Sequence, residues 1–163
     1  MTVRPIRIVG DPVLRTVCDP ITEITDGVRQ LAQDLEDTTN MDGRAGVAAN
    51  QIGVTMRAFS YNLEDLGVGH ILNPVIVELS EDLQEGEEEG CLSVPDLWFP
   101  RTRAAYARCV GMTAEGDEIE LAGEGITARL IQHEVGHLDG HLYIDGLERS
   151  VRKQALRQIR ERF

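Results

Sequence analysis

The chain has 163 residues, 42% hydrophobic and 27% charged, which suits one ordinary domain with an aliphatic core and excludes wholesale disorder. Its 16 Lys and Arg against 28 Asp and Glu leave a net charge of -12, which opposes general binding to nucleic acid or anionic membranes. No apolar run near the start reads as a signal peptide and none later is long enough to cross a bilayer, so the protein is expected in the cytoplasm.

The first regular element is predicted over Asp26 to Asn40, where Val28, Leu31, Ala32 and Leu35 recur at steps of three and four and Thr25 or Asp26 can cap the helix. The following stretch, Met41 to Gly53, is rich in small residues and reads as a loop or irregular strand that other backbone or a ligand can approach closely. Met56 to Tyr61, His70 to Leu79, Ala104 to Met112 and Ile119 to Leu121 read as short strands suited to antiparallel sheets. Between the second and third lies the acidic run Ser80 to Glu89, read as a solvated loop.

Helical period returns from Ile126 to Leu138, with Ile126, Leu130, His133 and His137 on one face and Asp139-Gly140 as the stop. A last helix over Leu147 to Phe163 sets Val151, Ala155, Ile159 and Phe163 at steps of four among Arg149, Arg152, Lys153, Arg157, Arg160 and Arg162. No repeat or linker divides the chain, so residues 1–163 are expected to form a single catalytic domain. Cys18, Cys91 and Cys109 are odd in number and widely spaced, which opposes a disulfide framework; Cys18 and Cys109 read as small buried hydrophobes.

His133-Glu134-Val135-Gly136-His137 is an H-E-x-x-H sequence. On a helix its two imidazoles sit one turn apart and can grip one metal ion, while the Glu134 carboxylate beside them can move a proton from a metal-held water to a leaving amine. A catalytic site of this kind normally has three protein ligands. Downstream, His141 lies only four positions on, beyond Gly140, and fits poorly; upstream, Cys91 in Glu89-Gly90-Cys91-Leu92-Ser93 is the alternative.

Three segments, Gly46-Val47-Ala48-Ala49-Asn50-Gln51, Glu89-Gly90-Cys91-Leu92-Ser93 and Gln132 to Gly140 with its H-E-x-x-H core, resemble the signature motifs of the peptide deformylases in the same order and at similar spacing. Ile8 to Arg15 and Ile71 to Ile76 also resemble that family, so the similarity covers essentially the whole chain. The resemblance implies an α+β fold with antiparallel sheets of short strands wrapped around a central metal-binding helix, flanked by an N-terminal helix and a C-terminal amphipathic helix. It implies removal of the N-formyl group from the initiator methionine of new polypeptides, with release of formate.

By the same resemblance Cys91, His133 and His137 are the metal ligands and Glu134 is the general acid and base for a metal-held water. Gln51 and the backbone N–H of Leu92 are donors to the oxyanion, and Gly46 lies beside a bound peptide paired like an added strand. The metal implied is Fe(II), for which Zn, Ni or Co can substitute in a His-His-Cys set. His133, residues near Val94 and the stretch Ile126 to Leu130 are expected to wall a methionine pocket. The partners implied are nascent formyl-Met polypeptides, with a transient ribosome contact through the basic C-terminal helix and no membrane.

Two positions depart from the family pattern. Arg44 stands where the first motif normally has Gly, at the expected rim of the groove, and is expected to narrow it, to contact the substrate or to turn to solvent. Gly136 stands where the third motif often has Asp, which costs about 1 kcal/mol of helix propensity relative to Ala and removes a hydrogen-bonding side chain. Two rival readings are a zincin-type peptidase, with its third ligand after His137, and a non-catalytic metal protein, which would have no use for Glu134.

Overall fold

The structure, a computed structural model, describes residues 2–163. Its elements in chain order are α1 (Asp26–Thr39), β1 (Gly46–Ala48), β2 (Ala58–Leu63), β3 (Gly67–Leu79), β4 (Leu83–Gln84), β5 (Glu88–Cys91), β6 (Val94–Pro100), β7 (Arg103–Ala104), β8 (Tyr106–Met112), β9 (Glu118–Glu124), α2 (Gly125–Leu138) and α3 (Arg149–Arg162). One antiparallel sheet runs in the order β1-β2-β3-β8-β9, while β4 pairs with β7 and β5 with β6. This is the α+β architecture expected from the sequence, with α2 at its centre.

The sheet is buried on both sides because successive residues of a strand point to opposite faces. From β2, Phe59, Tyr61 and Leu63 join Leu130, Ile131 and Leu138 of α2, whereas Ala58 joins Val28, Leu31 and Leu35 of α1. Each large aliphatic or aromatic side chain buried this way contributes roughly 1.5–3 kcal/mol, so the two helices clamp the strands between them. A third cluster, of Leu14, Val94, Leu97, Phe99, Tyr143, Ile144 and Ala155, ties β6 to α3.

Helix ends are set by local chemistry. The Thr25 hydroxyl accepts the Val28 N–H at 3.2 Å and caps α1. At the end of α2, Gly140 adopts φ 80, its N–H donates to His137 O, and the His141 N–H donates to Gly136 O. That double closure needs a left-handed residue, and a Cβ on Gly140 would stand 2.8 Å from Arg15 O, so Gly is required twice over. The Leu138 carbonyl accepts from Cys18 N–H at 2.8 Å and Arg57 Nη1 at 3.0 Å, which places a cation at the negative end of the helix.

Three details differ from the sequence-based reading. The acidic run contains β4 and the start of β5, and Glu89 within it is only 4% exposed. Ile126, assigned to the inward face of α2, is 64% exposed. Phe163 is exposed as well, because α3 buries only the stripe around Ala155. Cys18 and Cys109 are buried free thiols, as read from the sequence. Among the described residues no helix is long and apolar enough to cross a membrane.

Candidate metal centre

The spacing of four along α2 sets His133 and His137 on one side, with their Nε2 atoms 3.1 Å apart. The β5–β6 hairpin delivers Cys91, whose Sγ lies 3.4 Å from His137 Nε2, and the three ligand atoms all fall within 4.8 Å of one another. Bonds of about 2.0–2.3 Å to one tetrahedral ion separate its N and S donors by roughly 3.3–3.6 Å, so this trio has the dimensions to hold one. His141, the downstream alternative, is exposed and stands outside the trio.

Glu89 accepts from His133 Nδ1 at 2.6 Å, which leaves the Nε2 lone pair facing Cys91 and His137. Arg103 grips the same carboxylate through Nε at 2.9 Å and Nη2 at 2.7 Å, and Arg129 Nη1 adds a bond of 2.7 Å. Burial alone would raise the Glu89 pKa, but Arg103 and His133 hold it well below the ordinary carboxylate range. Burial keeps the His137 imidazole neutral, the form that binds a metal, and its carbonyl accepts from Asn50 Nδ2 at 2.6 Å.

Glu134 is 2% exposed, and its Oε1 has no hydrogen-bond partner among the described residues. Burial, reinforced by the negative charge of Glu89 and partly offset by His133 and Arg103, pushes its carboxyl up to about 7. A carboxylate in that range suits proton transfer in both directions near neutral pH. Gln51 is buried beside it. Its Oε1 accepts from the Ala48 N–H at 2.9 Å, which turns Nε2 toward Ser93 Oγ at 3.1 Å and Cys91 Sγ at 3.6 Å.

A cavity of about 510 Å³ opens onto this cluster. Gly46, Gln51, Cys91, Leu92, His133 and Glu134 all line it, and His137 stands behind them at 1% exposure, so every site residue read from the sequence is brought to one place. Val94, Ile126 and Leu130 supply apolar wall. On one side runs β1, an edge strand of the five-stranded sheet, with β5 on the other. A Cβ on Gly46 would stand 2.5 Å from Leu130 Cδ1 and 3.1 Å from Glu134 Oε2, so only Gly lets the backbone lie this close to the carboxylate.

Arg44 stands at the rim of the cleft, as expected, and is not turned freely to solvent. Its Nη1 donates to Thr38 O at 2.7 Å, where it caps the last turn of α1, and the residue lines the cavity. The sequence reading passed over Glu89, Arg103, Arg129 and Trp98. Trp98 is 63% exposed and its ring lies against Gly90 at the cavity rim. One signal for Glu89 was available: it precedes Cys91 by two, the spacing that in a regular strand sets both side chains on one side, although the pairing with β6 shifts register between Gly90 and Cys91.

Two imidazoles one helical turn apart, a thiol from a neighbouring hairpin and a buried carboxylate at the end of a cleft place the chain in the class of metal-dependent hydrolases. The polypeptide deformylase family model matches residues 3–153, and the chain belongs to that family of enzymes. The chain is 45% identical over 161 residues to a peptide deformylase of Parafrankia sp. (strain EAN1pec), covering 99% of this chain and 87% of that one. It is 47% identical over 161 residues to one from Acidothermus cellulolyticus (strain ATCC 43068 / DSM 8971 / 11B), covering 99% and 88%. Among solved structures, the peptide deformylase of Thermus thermophilus superposes with a TM-score of 0.88 at 39% identity, covering 98% of this chain and 94% of that one. A peptide deformylase from Legionella pneumophila has a TM-score of 0.88 at 31% identity, covering 98% and 95%.

Proposed function

We propose that residues 1–163 act as one catalytic domain that removes the N-formyl group from the initiator methionine of nascent polypeptides and releases formate. The observation that carries this reading is the unpartnered Glu134 Oε1 at the wall of a cleft that also exposes Cys91 and His133. Cys91, His133 and His137 fit a metal ion by spacing and donor type, and a thiolate beside two imidazoles suits Fe(II), with Zn, Ni or Co as substitutes. The ion, when bound, supplies Lewis acidity and lowers the pKa of water.

The chain's own residues do the rest. Glu134 takes a proton from the attacking water as its oxygen adds to the formyl carbon, then gives that proton to the amine nitrogen as the C–N bond breaks. Gln51 Nε2, locked by the Ala48 N–H, and the Leu92 N–H donate to the oxygen on which charge develops. Gly46 on the open edge of β1 lets the peptide pair as an added strand, while Val94, Ile126, Leu130 and His133 wall the methionine side chain. Glu89 fixes the tautomer of His133.

The test is formate release from formyl-Met peptides by the Fe(II)-loaded protein beside Glu134→Ala. Inactivity of a wild type that still binds metal would sink the enzyme reading, and internal cleavage of unformylated peptides would favour a zincin-type peptidase. Such a reaction belongs in the cytoplasm beside the ribosome. The exposed Arg149, Arg152, Lys153, Arg157, Arg160 and Arg162 of α3 support a transient ribosome contact, which co-sedimentation with and without charge reversal on α3 would test.

A further inference from the structure

A second cavity, of about 400 Å³, opens beside α2 and shares only His133 with the first. Its charged walls are unevenly matched. Asp139 pairs with Arg57 at 2.8 Å, Asp145 with Arg15 at 2.6 Å, and Arg103 with Glu89 at 2.7 Å. Arg101 pairs with no carboxylate among the described residues. The one hydrogen bond of its side chain runs from Nη1 to Thr102 O at 2.6 Å, and its Nε, closed off from the cavity, has no partner among the described residues.

The guanidinium of Arg101 lies flat against Gly146, where any Cβ would collide with it. Gly136, on the helix side of the same cavity, has nothing within 4 Å of where a Cβ would stand, so space remains there. Burial and the charges of Arg103 and Arg129 disfavour the Arg101 cation, Glu89 and Asp145 offset this only in part, and a further negative charge relieves the remainder. The Nη1 and Nη2 end of a guanidinium presents N–H groups that match the two oxygens of a carboxylate or phosphate.

We propose that this cavity is a binding site for a small oxyanion, a carboxylate or a phosphate group, held by the unpaired guanidinium of Arg101 in the space left open at Gly136. The site is separate from the peptide cleft and takes no part in the hydrolysis proposed above. The paired Asp139 and Asp145 oppose large or highly charged anions, so the ligand is compact.

The experiment follows the Arg101 Nε–H resonance of the zinc-loaded protein by NMR, assigned by its absence in Arg101→Gln, during titration with inorganic phosphate and separately with acetate at constant ionic strength. A saturable shift is expected with at least one of them; the tighter binder identifies the group as phosphate or carboxylate. In Gly136→Asp the new carboxylate occupies the space, and the affinity is expected to fall by about tenfold or more. No response to either anion, or an affinity unchanged in Gly136→Asp, overturns the proposal. If Arg101→Gln does not fold, Gly136→Asp decides alone, with the resonance assigned through backbone correlations.

Discussion

His133 donates its Nδ1 proton to Glu89 across 2.6 Å, and Glu89 is also the carboxylate that Arg103 and Arg129 share. One buried acid thus orients an imidazole and pairs with two guanidiniums. Replacing Glu89 with Gln is expected to weaken metal binding by roughly 10–100-fold, because the partner that fixes the His133 tautomer is weakened. Chelator competition measures it. Glu89→Ala strands both arginines as well and is expected to cost about 3–5 kcal/mol, read from urea unfolding. Metal affinity unchanged in Glu89→Gln would remove the acid from the site's design.

Glu134→Gln keeps the shape of the side chain and removes its ability to carry a proton. Formate release is expected to drop by at least about 10²–10⁴-fold while metal content per chain stays the same. Metal analysis beside single-turnover kinetics separates the two effects, and a loss of metal in parallel with activity would contradict a proton-transfer role.

Gly46 and Gly136 are expected to respond in opposite directions to Ala. At Gly46 the new methyl meets Leu130 Cδ1 at 2.5 Å and Ser60 O at 2.9 Å, an overpacking expected to cost roughly 1–3 kcal/mol. At Gly136 it enters open space within a helix and is expected to add about 1 kcal/mol of stability. Thermal unfolding of the pair gives both signs.

Burial pushes the Cys18 and Cys109 thiols from 9.0 up to about 11, so folding favours their protonated form. Their contribution to stability is complete below 9.0 and is lost as pH rises through about 11, since the unfolded thiols ionise first. The fall in urea midpoint across that window should flatten when both are replaced by Ala. At neutral pH in the metal-stripped protein, a thiol reagent is expected to modify Cys91 alone, and metal is expected to protect it; rapid reaction at Cys18 or Cys109 would contradict their burial.

Much of the architecture was legible in the chain itself. The three helices follow from period and caps, with Thr25 and Gly140 closing α1 and α2 as read, because these signals act within a few residues. Four of the five strands of the large sheet, β2, β3, β8 and β9, were found from their apolar and β-branched runs, while β1 was read only as a loop or irregular strand. The small strands β4, β5 and β6 were not, since acidic or mixed segments become strands only when a partner satisfies their backbone.

The same division runs through the site. Sequence by itself placed His133, Glu134 and His137 on one helix, because a repeat of 3.6 residues converts spacing into direction without help from the rest of the chain. It could not show from spacing that Cys91 meets them, that Glu89 leaves its acidic run to hold His133, that Arg44 closes α1, or that Arg101 has no acid to pair with. The meetings of Cys91 and Glu89 with the α2 histidines depend on the hairpin of β5 and β6 folding against α2 across more than forty residues, and only the packed chain decides which side chains such a closure brings together.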